Sequence, residues 1–324
     1  MKLAFVGFRH GHVMSLYAAA TADQRVEVVA ACEEDAATAE RLGREGKVRL
    51  THASYRAMLG EVACDAVAVG DAYGLRGARI AEALRRGKHV ISDKPICTRT
   101  SELDEIERLS RGLKVGCLLD MRGSGSIRTV RRLIGEGAIG EVHTVSFTAQ
   151  HPLLYGSRPM WYFEPGMHGG TINDIGIHAF DAIPWMTGRE IAGVICARAW
   201  NAKVKQHPEF QDGAQFLLTL DNGGGVMGDC SYLAPDGCGY AVPEYWRFLI
   251  HGTDGVIERV GERVTIAGHE DKSPREVEVE KSDPNSPLEA FLGEIEGRGA
   301  GLGPSTAEVF EASRLALRVQ AAAG

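Results

Sequence analysis

The sequence predicts an α/β protein. A doubly wound parallel sheet comes first, and an α+β domain with a large, mostly antiparallel sheet follows. Three observations carry this. Over the first 120 residues, short β-branched and apolar runs alternate with longer segments of helical spacing. From residue 141 onward, apolar runs follow one another across Gly, Asn-Gly and Asp-Gly turns, which is hairpin chemistry. The 324 residues are 44% hydrophobic and 24% charged, ordinary globular usage with chain enough for two domains of about 150 residues.

The runs LAFVG (3–7), VEVVAAC (26–32), AVAVG (66–70), HVIS (89–92) and VGCLL (115–119) are apolar throughout, as strands buried on both faces must be. Segments 35–45, 76–86 and 101–111 between them have helical spacing, and Ser101 with Asp104 resembles a helix-start box. Alternation of this kind makes βαβ units with helices on both faces. A further helix is expected over 126–136, stopped by Gly137. Then come the strand-like runs EVHTVSFTA, GVICARAW, GAQFLLTLD, GGVMGDCSY, YWRFLIHG, GVIERV and RVTIAG. One helix, 169–187, interrupts them after Gly169-Gly170. Two helices end the chain: SPLE (286–289) reads as a Ser cap with Pro in the first turn, and Ser305 with Glu308 opens the second. The expected division is a doubly wound domain over 1–120 and an α+β domain over 121–324. The terminal helices are compatible with packing on either.

A net charge of −7 argues against nucleic acid or an anionic membrane as partner. The seven cysteines are odd in number, lack any C-x-x-C, and several lie inside apolar runs, as reduced thiols do. The apolar stretch before Arg9 is too short for a signal peptide, and no run of about 18 apolar residues offers a membrane span. A cytoplasmic location is expected.

The first strand ends in Gly7-Phe8-Arg9-His10-Gly11-His12, where a dinucleotide fold carries G-x-G-x-x-G. Gly7 matches the first glycine. Arg9 stands at the second position and His12 at the third, and Gly11 is one residue early. An ordinary strand–helix turn is the competing reading. Glu33 ends the second strand, where an acid accepts hydrogen bonds from ribose hydroxyls and repels a 2′-phosphate, favouring NAD over NADP. Arg9 offers a cation near the pyrophosphate, or bulk that would move the nucleotide; a preference for NADP would point to Arg9 or Arg41 as phosphate contacts. His10 and His12 invite a metal, but no H-x-x-x-H or similar pattern supplies a third ligand, so none is expected.

Asp93-Lys94-Pro95 follows the fourth strand, on the edge where open α/β sheets bind ligands. A lysine there hydrogen-bonds a ribose or a reacting hydroxyl and supports loss of its proton. Asp174 and His178 are four apart on the helix expected after two glycines, hence on one face. Imidazole suits a general base for a hydroxyl, and Asp174 suits orienting a neighbouring hydroxyl. In the segment 151–168, Trp161 and Tyr162 are candidates to stack on a sugar face and Arg158 to hold a carboxylate or hydroxyls.

ALRRGKHVISDKP (83–95) resembles the A-L-x-x-G-K-H-V-x-x-E-K-P signature of the glucose–fructose oxidoreductase / myo-inositol dehydrogenase (Gfo/Idh/MocA) family. RRLIGEGAIGEVHTV (131–145) resembles its interdomain link. Gly169 to Asp181 resembles its G-G-x-x-x-D-x-G-x-H-x-x-D pattern. The departures are Asp93 for glutamate, the irregular glycine loop, and Asp71-Ala72-Tyr73-Gly74-Leu75-Arg76 in place of T-P-N-x-x-H, with Arg76 for the histidine. The resemblance implies a Rossmann domain with Gly7, Phe8, Arg9, His10, Gly11, His12, Glu33, Asp71, Asp93 and Lys94 at the nicotinamide cofactor. It implies catalysis by Lys94, Asp174 and His178, with Arg122, Arg158, Trp161 and Tyr162 at the substrate. The implied activity interconverts hydroxyl and carbonyl on a sugar, cyclitol or related polyol, in a homodimer or homotetramer. Two alternatives stay open: a cofactor-retaining lyase or glycoside hydrolase working through transient oxidation, and a non-catalytic NAD(P) sensor.

Overall fold

The structure, a computed structural model, describes all 324 residues. Two compact units share the chain. One comprises residues 1–119, 166–169 and 285–313; the other comprises 120–165, 170–284 and 314–324.

The first unit holds β1 (Lys2–Val6), α1 (His12–Ala22), β2 (Glu27–Cys32), α2 (Ala36–Glu45), α3 (Tyr55–Glu61), β3 (Ala66–Val69), α4 (Tyr73–Arg85), β4 (His89–Ser92), α5 (Thr100–Leu109) and β5 (Val115–Cys117). The strands form one parallel sheet in the order β2-β1-β3-β4-β5. The strand reversal at β1 brings the ends of β1 and β3 side by side, the crevice where such sheets bind ligands. AVAV of β3 is buried at every position, which explains its unbroken apolar run. Helix α3 is not among the expected helices, although its buried Tyr55, Met58 and Leu59 stand at helical spacing. Ser101 is no cap: α5 starts at Thr100 without a side-chain cap. Residues 286–295 form α8 (Ser286–Ile295), which starts one residue earlier than the cap reading has it. Leu288, Phe291 and Leu292 of α8 enter the same buried cluster as Leu3, Phe5 and Phe8.

The second unit holds α6 (Gly125–Gly135), β6 (Val142–Pro152), α7 (Ile177–Thr187), β7 (Ile191–Trp200), β8 (Gly213–Leu220), β9 (Gly225–Ala234), β10 (Arg247–Gly252), β11 (Gly255–Val260), β12 (Arg263–Gly268) and β13 (Arg275–Val277). Its eight strands run in the order β13-β12-β11-β10-β6-β9-β8-β7. All neighbours are antiparallel except β6 and β9. Helices α6 and α7 pack on this sheet, while Ile195, Leu217 and Met227 are exposed. The last helix, α9 (Thr306–Ala322), begins with the expected reciprocal box: Ser305 N donates to Glu308 Oε2 at 2.8 Å and Glu308 N to Ser305 Oγ at 3.3 Å. No helix is long and apolar enough to cross a membrane.

Of the seven cysteines, only Cys196 and Cys238 are exposed, and the other five are buried. Burial pushes the Cys32 thiol up to about 12 and raises that of Cys64, so neither forms thiolate at ordinary pH. Titration of the native protein with a thiol reagent at pH 8 should therefore label Cys196 and Cys238 rapidly, and the remaining five only after denaturation.

Candidate functional site

In the first unit, the loop after β1 is shaped by close approach. Gly7 has φ +75°, and a Cβ added there would lie 2.6 Å from Asp71 Cβ, so only glycine fits. A Cβ on Gly11 would meet nothing within 4 Å. Gly11 precedes α1, whose first turn has no side-chain cap and no acid. An uncapped helix N-terminus presents backbone N–H groups and positive dipole to an anion. Arg9 turns back into the protein instead: its Nε donates to Asp71 Oδ1, and Arg79 pairs with Asp71 Oδ2. Arg9 thus sits at the expected loop with its guanidinium paired to Asp71. Arg41 is likewise engaged, donating to the Phe8 carbonyl and to Glu45.

Glu33 is 2% exposed. Its Oε2 accepts from Phe8 N at 2.6 Å and its Oε1 from Asp35 N at 2.8 Å. Burial raises its carboxyl above the ordinary value, and the two backbone donors oppose this. The acid thus fastens the loop to β2, and each oxygen keeps a lone pair for a ribose hydroxyl.

A second cluster surrounds Asp93. Arg76 is fully buried. Its Nε donates to Asp71 O at 2.8 Å, its Nη1 to the carbonyls of Lys94 and Pro95, and its Nη2 to Asp93 Oδ2 at 3.0 Å. The guanidinium also stacks 4.5 Å from the Tyr73 ring centroid. Lys94 N donates to Asp93 Oδ1 at 2.7 Å. His10 Nδ1 contacts Oδ2, and His12 Nδ1 lies 3.2 Å from Oδ1. Tyr73 Oη is 3.2 Å from His10 Nε2. An ionised carboxylate only accepts, so His10 carries its proton on Nδ1 and accepts from Tyr73. Burial holds His10 down to about 4, against the pull of Asp93. Burial pushes Asp93 up, yet Arg76, then His10 and His12, hold it well below the ordinary carboxylate value. Lys94, 5% exposed, is thereby held at the end of β4 by Arg76 and Asp93 through its own backbone.

In the second unit, Asp174 and His178 do not share a regular α-helix. Ile172–Gly176 is a single π-helical turn, and α7 follows it. The four-residue spacing of the two side chains therefore spans a wider turn than predicted, a distortion common at functional positions. Tyr232 on β9 donates its hydroxyl to Asp174 Oδ2; burial, followed by Asp174, raises the Tyr232 phenol well above its usual value. Tyr232 was not identified from sequence, because one aromatic within an apolar strand carries no distinguishing signal. His178 is buried, with Trp246 5.1 Å away between ring centroids. His151 packs on Trp246 and Tyr245 at 5.0 and 4.9 Å, so one aromatic cluster adjoins His178.

The expected substrate residues divide. Trp161 and Tyr162 are buried and pack on each other at 4.2 Å. The Arg158 guanidinium lies 4.7 and 5.2 Å from the Tyr162 and Tyr232 rings, and donates to the carbonyls of Leu153 and Pro152 at 2.7 and 3.0 Å. Arg122 makes a buried fork to Asp181 at 3.1 and 2.7 Å. That fork holds the Arg122 guanidinium beside Asp181.

Residues 1–119 match the model of an oxidoreductase family with an NAD-binding Rossmann fold, and residues 127–258 match the GFO/IDH/MocA C-terminal domain. The chain belongs to the GFO/IDH/MocA oxidoreductase family. The scyllo-inositol 2-dehydrogenase (NADP+) of Bacillus subtilis is 25% identical over 217 residues, 64% of this chain and 54% of that protein. The chain spans about half the length of the curated relatives it matches. A solved structure from Thermotoga maritima is 26% identical and superposes with TM-score 0.86, over 100% of this chain and 98% of the other. An oxidoreductase from Agrobacterium radiobacter, solved with NAD+, L-tartaric acid and magnesium, shares the fold at TM-score 0.78 and 19% identity, over 99% of this chain and 96% of the other.

Removing Arg76 strands a buried carboxylate. Arg76→Met should lower the free energy of unfolding by about 3–5 kcal/mol at pH 7, read by urea denaturation. The Asp93 carboxyl is depressed in the fold below its unfolded value of 3.8. The stability it contributes is complete above that value and is lost as pH falls below it, so the gap between wild type and variant should close in acid.

Proposed function

We propose that this member of the family is a nicotinamide-dependent oxidoreductase that interconverts a hydroxyl and a carbonyl on a sugar, cyclitol or related polyol. The observation that carries the reading is the π-distorted start of α7, where a buried imidazole and a carboxylate aimed by Tyr232 adjoin an aromatic cluster. That is a base, a hydroxyl-orienting acid and an apolar surface for the C–H face of a ring. The relative's name, an inositol dehydrogenase, supports the same substrate class.

The first unit fits a dinucleotide. The uncapped N-terminus of α1 and the space around Gly11 suit a pyrophosphate. Glu33, at the end of β2, suits ribose hydroxyls and disfavours a 2′-phosphate, hence NAD over NADP. When bound, the dinucleotide supplies a hydride acceptor or donor at its nicotinamide ring. The protein's own part is the proton and the charge. His178 takes the hydroxyl proton during oxidation and returns it during reduction. The Lys94 ammonium stabilises negative charge on the reacting oxygen. Asp174 accepts from an adjacent hydroxyl and fixes the ring. The exposed apolar side chains of β7, β8 and β9 suit self-association into a homodimer or homotetramer in the cytoplasm.

Two measurements test this reading. Fluorescence titration should give tighter binding of NADH than of NADPH, and Glu33→Ala should reduce or reverse the preference. Tighter NADPH binding by the wild type would remove Glu33 from its role. His178→Ala and Lys94→Ala should each lower kcat by about 10²–10⁴-fold with a polyol substrate, with the fold intact by circular dichroism. Near-normal turnover would remove that residue from the chemistry. Retained nucleotide with turnover but no net reduction would instead indicate elimination or hydrolysis through transient oxidation.

A further inference from the structure

We propose that His10, His12 and Asp93 form a binding site for one divalent transition-metal ion of the zinc type. The two histidines lie in the loop after β1 and at the first residue of α1, and the carboxylate follows β4. Sequence spacing offers the imidazoles no third ligand; the parallel sheet supplies it from about eighty residues away by placing the carboxyl ends of its strands on one edge. One donor atom from each of the three residues lies within 4.8 Å of the other two.

The donor set is chemically selective. Two imidazole nitrogens and one carboxylate oxygen suit zinc, cobalt or nickel better than magnesium or calcium, which prefer all-oxygen shells. At metal–ligand distances of about 2.0–2.2 Å, one ion fits among these atoms once the His10–Asp93 contact opens. Three protein donors leave a coordination position for water or a ligand oxygen.

The surroundings are those of a supported site. With the ion on His10 Nδ1, the ring proton moves to Nε2, which then donates to Tyr73 Oη as its outer partner. The Asp93 oxygens are fixed by Arg76 and by Lys94 N. Such outer contacts set ring and carboxylate orientation at metal centres. His12 has a side chain 53% exposed, which gives the ion a path in. His12 from the start of α1 and Arg76 from the first turn of α4 both reach Asp93 in this one cluster. With the Arg76 charge on the same carboxylate, the filled site is net positive. Its open position therefore favours an anionic oxygen over a neutral one.

The test uses untagged, chelator-stripped protein equilibrated with Zn2+ at neutral pH. Elemental analysis should give a single zinc per chain, and Co2+ in its place should show the visible absorption of a nitrogen-ligated site. His12→Ala removes the half-exposed ligand without touching the buried pair. It should weaken zinc binding about 10-fold or more, with unchanged circular dichroism. His143→Ala and His269→Ala, at exposed positions elsewhere, should leave binding unchanged. Absence of stoichiometric zinc overturns the proposal, and so does zinc binding that survives His12→Ala unweakened.

Discussion

Four donors converge on one carboxylate, Asp93: a fully buried guanidinium, two imidazoles and a backbone N–H. Carrying that charge into the interior is unfavourable unless every oxygen is satisfied. Satisfying it fixes much of the sheet edge. Arg76 reaches Asp93 only from the first turn of α4, and the same guanidinium binds the carbonyls of Asp71, Lys94 and Pro95. The ends of β3 and β4 and the start of α4 are therefore tied through one side chain. Asp71, in turn, holds Arg9 and forms the wall against Gly7.

The same economy of charge explains why the nucleotide loop departs from an all-glycine pattern. Where glycines usually leave room, this chain places Arg9 and His12, and each finds an acid on a neighbouring strand end. The helix N-terminus stays uncapped because its cap residue, Gly11, has no side chain, and the neighbouring Arg9 and His12 turn to Asp71 and Asp93. The second unit works by a related rule. Asp174 accepts from the buried Tyr232 phenol, and its charge acts on the Arg158 guanidinium.

Strands buried on both faces leave an unmistakable trace, which is why the five strands of the parallel sheet were legible from composition and order alone. The hairpins were legible from their turn residues. The candidate residues Lys94, Asp174 and His178 stand out in the sequence by type and by family pattern. What sequence could not supply was partnership across strands. Nothing in the local residues says that Arg122 ends on Asp181, that Tyr232 reaches Asp174, or that Asp93 lies between His10 and His12. Each of these pairs joins residues far apart in the chain, and only register and helix packing bring them together. The π-helical turn at Ile172–Gly176 was hidden for another reason: its residues carry an ordinary helical spacing, and the wider turn arises from tertiary constraint.

Helix α8 is made late but belongs to the first unit, with Phe291 against Gly116 and Leu288 inside the cluster of Leu3 and Phe5. On the ribosome, the parallel sheet emerges with that apolar surface still bare. At about 5–20 residues per second, synthesis of the intervening segment 120–284 takes roughly ten to thirty seconds. Throughout that interval the nascent sheet is a surface for chaperones or for a neighbouring nascent chain, and the first unit can close only after most of the second has been translated.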